Sequence, residues 1–207
     1  MFITYLIIAI TAISSILAFN NHAISEKLLF SPYMINSHKQ GYRFLSHALV
    51  HGDWMHLLVN MFVLLSFGLA VESYYNLFFG NKGAYLFSLL YLGGIALSST
   101  PSFAKYKSDP GYRAVGASGA VSAVVFASIL IQPLSPIRFV FLPVDIPAFI
   151  FGALYLIYSA YMVKKGTDNI GHDAHFSGAL FGLVFTGILK PALFVGFLGQ
   201  IGNFLGF

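Results

Sequence analysis

The chain has 207 residues, of which 57% are apolar and only 9% charged, and its mean hydropathy is +0.79. A soluble domain carries roughly 25% Asp, Glu, Lys and Arg, so that class is excluded, and 22 Phe with 12 Tyr exclude a disordered chain. The absence of cysteine rules out disulfides, thiol nucleophiles and Cys-ligated zinc. A net charge of +4, so thinly spread, speaks of membrane topology rather than nucleic acid.

A spanning helix needs about 20 mostly apolar residues, and six runs of that kind occur, at about 2–19, 55–73, 83–99, 114–131, 146–163 and 174–189. The first has neither a basic residue ahead of it nor a small-x-small cleavage site before Asn20-Asn21, so it is expected to be a retained helix rather than a signal peptide. Residues 20–54 form the longest connection. Its apolar content (Leu28-Leu29-Phe30, Tyr33-Met34-Ile35, Phe44-Leu45) suits the membrane interface better than bulk water. Pro133, Pro136, Pro143 and Pro147 predict a stiff turn between the fourth and fifth helices. The apolar tail 191–207, broken by Pro191 and glycines, reads as an interfacial or re-entrant segment rather than a seventh span. The expected fold is therefore all-α: a polytopic bundle of six transmembrane helices in one membrane domain, 1–207, with no internal repeat.

Six spans put both termini on one side. Eight basic residues (Lys27, Lys39, Arg43, Lys105, Lys107, Arg113, Lys164, Lys165) then fall on the opposite side and three (Lys82, Arg138, Lys190) on the side of the termini. The positive-inside rule alone would place the eight in the cytoplasm and the termini outside.

Polar side chains inside spans are costly and commonly functional. The second span opens with His56-Leu-Leu-Val-Asn60, whose i, i+4 spacing sets both polar groups on one face, as interhelical glue or as part of a site. His47 and His51 repeat that spacing upstream, where a hydrated interfacial segment is the plain alternative. The fourth span opens with Gly116-Ala117-Ser118-Gly119, small residues that either admit a neighbouring backbone or clear space around a serine hydroxyl. The sixth opens with His175-Phe-Ser-Gly178, and Gly178 with Gly182 forms a small-xxx-small face suited to packing on the fourth. A close crossing would bring the His175 imidazole toward Ser118, the minimum machinery for a hydroxyl nucleophile activated by a base. Asp173 lies at i−2 from His175 and so on another face, which favours a Ser–His dyad over a triad. Spans two, four and six run in the same direction, so all these polar groups share one end of the bundle.

Taken together these residues resemble the rhomboid family of intramembrane serine proteases. The resemblance runs in order through Arg43, the His47 and His51 pair, His56-x-x-x-Asn60, Gly68 and Glu72, Gly116-x-Ser118-Gly119 and Ala174-His175-x-x-Gly178-x-x-x-Gly182, about two-thirds of the chain. It implies Ser118 as nucleophile, His175 as general base, and an oxyanion hole made by His56, Asn60 and the Ser118 backbone N–H. It also implies structural roles for Arg43 and Glu72 and a first connection half-embedded in the bilayer. A lateral entrance near the fifth helix and a cap loop at about 164–173 follow from it too. The implied activity is endoproteolysis of single-span or polytopic membrane proteins, with no metal or organic cofactor. The implied place is the bacterial inner membrane with the site toward the outer face, against the charge count. Two departures stand out. Tyr42 replaces the Trp often found before the Arg, and Ser122 stands where some members carry an aromatic ring on the catalytic histidine, leaving open what orients His175. A metalloenzyme built on His47, His51, His56, His172 and His175 is disfavoured, since there is no His-Glu-x-x-His motif and few carboxylates are available to complete a site. A non-catalytic, client-binding relative would have little reason to retain both Ser118 and His175, and a transporter would spread its polar groups across the bilayer.

Overall fold

The computed structural model describes residues 2–139, 142–166 and 170–207. The first apolar run becomes α1 (Ile3–Asn20). Its buried residues are Thr4, Thr11, Ser15 and Ala18, a strip of small and hydroxylated side chains, while Ile10, Ile13 and Leu17 face outward. The connection after it is built rather than loose. It holds α2 (His22–Leu28), α3 (Pro32–His38), α4 (Arg43–Ser46) and a 3-10 turn at His47–Leu49. Arg43 is its clamp: the buried guanidinium donates to the carbonyls of Glu26 (2.9 Å) and Leu29 (2.7 Å) and to Gln40 Oε1 (2.6 Å).

The second and third runs become α5 (Trp54–Phe79) and α6 (Gly83–Ser98), and α7 (Thr100–Tyr106) follows directly. Glu72, in α5, points its buried carboxylate at the start of α1 and accepts from the N–H groups of Ile3 and Thr4 (3.0 Å each) and from Thr4 Oγ1 (2.7 Å). A helix N-terminus exposes unpaired N–H donors and a partial positive charge, so the only acid in the interior of α5 neutralises the end of its neighbour. The fourth run becomes α8 (Ser118–Ile131), only 14 residues long and buried along nearly its whole length. An all-apolar helix belongs in the middle of a bundle, and α5, α6 and α10 pack around it.

The proline-rich stretch is not a plain turn. Its described residues form an antiparallel hairpin, β1 (Pro136–Phe139) and β2 (Leu142–Pro147), with Ile137 opposite Ile146. Arg138 donates to both carboxylate oxygens of Asp145 across the hairpin (2.8 Å each). Pro136 opens one strand and Pro147 closes the other, positions where a missing N–H breaks no ladder bond. The chain is thus mostly helical with one small hairpin, rather than purely α.

The last runs become α9 (Ala148–Lys165) and α10 (His172–Leu189), followed by α11 (Ala192–Leu205), which turns through 113° from α10. That bend, at Lys190-Pro191, sets the tail at a steep angle to α10, with Val195, Leu198 and Leu205 exposed. Of the cap loop expected at 164–173, residues 167–169 lie outside the described set. All six apolar runs are helical. By length and composition, two described helical stretches, Ile3–Asn20 and Trp54–Tyr106, are long and apolar enough to cross a membrane, or three if the bent pair α10–α11 counts as one span. Many large aliphatic and aromatic side chains are exposed on the helices, among them Leu58, Phe62, Leu154, Ile157 and Val184. No water-soluble protein of this size tolerates an apolar surface of that extent. This is an integral membrane protein.

Candidate active site

Three helix starts converge at one end of the bundle. At α5, Asp53 caps the helix by accepting from the His56 N–H (2.7 Å), which fixes where the first turn begins. One turn on, buried Asn60 donates through Nδ2 to the His56 carbonyl (2.9 Å), so His56 and Asn60 lie on one face as their spacing predicts. The His56 ring rests against Gly116, whose φ is +111°. A β-carbon on Gly116 would stand only 2.8 Å from His56 Nε2, so both the backbone conformation and the close approach require glycine there.

The segment leading into α8 is tied to the long connection on three successive rungs. Phe30 and Ala114 exchange N–H···O bonds (2.8 and 3.0 Å), Gly116 N–H donates to the His47 carbonyl (3.0 Å), and Ala117 N–H donates to His51 Nε2 (3.4 Å). His51 must then carry its proton on Nδ1, facing Ser15 Oγ at 2.9 Å, while Ser15 Oγ also lies 3.0 Å from the Leu49 carbonyl. Burial pushes His51 down to about 3 and His47 down to about 4, so both are neutral near pH 7. His47 bonds Ser99 Oγ through Nε2 (3.0 Å). These two histidines therefore hold the segment that leads into Ser118, and the His51 ring also packs edge-on against His56 at 4.9 Å. Ser118 is the first residue of α8, so its N–H is one of the donors that no intrahelical carbonyl takes. Its side chain is half-buried, as is that of His175.

Among the described residues, the crossing of α10 on α8 brings two helix backbones into direct contact. A β-carbon on Gly178 would run into the Gly119 carbonyl, and one on Gly182 into the Ala123 carbonyl, so the two backbones touch with no side chain between them. The carbonyl of Ala174 lies 3.4 Å from where a Gly119 β-carbon would stand. The neighbours of Ser118 and His175 are thus in contact, as the small-xxx-small face predicts. Asp173 turns the other way. It takes a hydrogen bond from Ser102 Oγ in α7, which Tyr112 also contacts (3.2 Å), and so anchors the start of α10 rather than the His175 ring.

What sequence reasoning missed is the wall behind His175. The Tyr155 ring of α9 lies nearly parallel to the imidazole (centroids 6.2 Å apart, 27° between planes), and the Tyr155 hydroxyl is 2.6 Å from Ser122 Oγ. His172 closes another side edge-on at 5.9 Å. Ser122 was the clue available, since it stands one turn after Ser118 on the same helix face. Among the described residues no three His, Asp or Glu side chains converge as a metal site requires.

A family model described as Rhomboid domain matches residues 38–192. Among curated proteins, the chain is 28% identical over 177 residues to Rhomboid-related protein 1 of Caenorhabditis elegans, covering 80% of this chain and 44% of that protein. It is 27% identical over 184 residues to Rhomboid-like protein 11, chloroplastic, of Arabidopsis thaliana, covering 82% and 60%. It is 25% identical over 167 residues to RHOMBOID-like protein 12, mitochondrial, also of Arabidopsis thaliana, covering 75% and 49%. The chain thus spans about half the length of the curated relatives it matches.

Proposed function

This chain belongs to the rhomboid family, and from that premise we propose that it is an intramembrane serine endopeptidase using Ser118 and His175 as a catalytic dyad. The observation that carries the reading is the backbone-to-backbone crossing of α8 and α10 at Gly119 and Gly178, which supports an approach of hydroxyl and imidazole. His175 takes the Ser118 proton as Oγ attacks the scissile carbonyl, then returns it to the leaving amine. Negative charge on the carbonyl oxygen is met by the Ser118 N–H, His56 and the Asn60 amide, and losing one such donor typically costs about 10²–10³ in rate. Water then releases the acyl-enzyme.

The chain crosses the bilayer six times in this reading, through α1, α5, α6, α8, α9 and α10, with the 20–54 connection half-embedded beside them. At 1.5 Å per residue the 14 residues of α8 extend about 21 Å, short of the roughly 30 Å hydrocarbon core, which supports a Ser118 that lies below the bilayer surface. The substrate is a transmembrane protein whose cut segment unwinds, because carbonyls in an intact helix are bonded and covered. Helix-breaking Gly or Pro and small residues near the cut are expected. The site end faces outward. The cysteine-free sequence makes this measurable, since single cysteines at Lys107 and Lys82 should react with an impermeant maleimide from opposite sides.

The deciding experiment is labelling of the purified protein with a fluorophosphonate, mapped by mass spectrometry, beside cleavage of a transmembrane reporter. Ser118→Ala and His175→Ala should each abolish both signals in folded protein. Undiminished cleavage by Ser118→Ala removes the nucleophile assignment, and client binding without cleavage by the unmutated chain replaces the protease with a non-catalytic binding role.

A further inference from the structure

Resting on that reading, we propose that Tyr155 is the positioning residue for His175, clamped by Ser122, so that the orientation of the base depends on α9 being seated against α8. An imidazole that acts as a base works only with its ring plane held, and the nearby carboxylate is engaged with another helix: Asp173 bonds Ser102. Tyr155 supplies a near-parallel face within the distance range of favourable ring pairs. Its own plane is fixed in turn. Its hydroxyl meets Ser122 Oγ at 2.6 Å, and Phe126 and Phe151 pack on its ring at 5.5 and 5.8 Å.

The ring and its anchor come from different helices, and that gives the arrangement its consequence. Ser122 rides on α8, one turn below the nucleophile, whereas Tyr155 rides on α9. Helix α9 is shallowly held. Its buried residues are only Ala148, Gly152, Ser159 and Met162, with Leu154, Ile157, Tyr158 and Tyr161 all exposed. Near the ring it meets α8 where Gly152 lies against Ile129 and Phe126. Withdrawal of α9 would remove the imidazole's wall and break the Ser122 contact together. The orientation of the base is therefore complete only with α9 seated against α8.

The test is steady-state cleavage of a transmembrane reporter together with the rate of fluorophosphonate labelling, each normalised to folded protein. Tyr155→Phe and Ser122→Ala both remove the hydroxyl contact and keep the ring, and each should lower kcat about fivefold with KM nearly unchanged. The double variant should be no worse than either single one, because both remove one bond. Tyr155→Leu removes the ring and should lower kcat and the labelling rate by about 10²-fold, with Phe rescuing most of that loss. Wild-type rates in Ser122→Ala and Tyr155→Phe, additive losses in the double variant, or a Phe variant as poor as Leu would each overturn the assignment. The Ser122 arm decides even if Tyr155→Leu does not fold. Failure of the unmutated protein to label at Ser118 would instead remove the protease reading itself.

Discussion

Adding one methyl group at Gly178 tests whether the α8–α10 contact governs the chemistry. A β-carbon there would stand 2.8 Å from the Gly119 carbonyl carbon and 3.1 Å from its Cα, where ordinary contact begins at 3.4 Å. Both obstacles are backbone in the interior of the bundle and cannot rotate aside. Helix α10 must therefore withdraw by about 0.6 Å to restore 3.4 Å at the carbonyl carbon, and by about twice that to clear the oxygen as well. Ser118 is bonded to Gly119 and His175 lies one turn before Gly178, so nearly the whole displacement reaches the proposed dyad. Overpacking of this kind costs about 1–3 kcal/mol of stability, while misplacing a reacting group by about 1 Å costs on the order of 10²-fold in rate. Gly178→Ala should therefore fold with a lowered Tm and cleave a transmembrane reporter about a hundredfold more slowly per folded molecule. Gly196→Ala in α11, where a β-carbon meets nothing, is the control and should change neither. A folded Gly178→Ala protein cleaving at the unmutated rate would refute the claim that this contact sets the distance between nucleophile and base.

Glu72→Gln should weaken the three bonds that cap α1 and lower stability by about 1.5–3 kcal/mol in detergent unfolding, with cleavage per folded molecule unchanged. Asp173→Asn should lower kcat/KM by less than about tenfold, against the roughly 10⁴ lost when a true triad aspartate is replaced; a loss near the larger figure would put Asp173 back beside His175. Acidification supplies another test. In the unfolded chain His47 and His51 protonate below their ordinary value of 6.5, whereas the folded protein keeps them neutral until about 4 and about 3. The unfolded state then binds more protons, so stability is level above pH 7 and falls between 6.5 and 4, on the order of 1 kcal/mol per pH unit for each histidine. Unfolding titrations at pH 7, 6 and 5 check this, and a flat response would show that these two rings are not buried as described.

Much of the site was readable because it is written in local patterns. Six apolar runs gave six helices, and His56 with Asn60 needed only the i, i+4 rule. Gly178 and Gly182 announced a close crossing without naming its depth. Other features were not legible, because each depends on which surfaces meet. The prolines at 136 and 147 read as a turn, since nothing local distinguishes a stiff connection from a hairpin whose ends they mark. The partnership of Glu72 with Ile3 and Thr4 joins residues 68 or more apart, and the tie between His51 and Ala117 joins residues 66 apart. Tyr155 is the sharpest case. The sequence shows a serine at position 122 and gives no sign of which ring faces His175 from another helix. The replacement arrives 33 residues later, on a helix whose three tyrosines, at 155, 158 and 161, look alike as letters. Only packing separates them: Tyr158 and Tyr161 point outward, and Tyr155 points in, where a hydroxyl on α8 waits for it. A serine at 122 is thus one half of a two-helix pair, and its small size is what leaves room for a ring from α9.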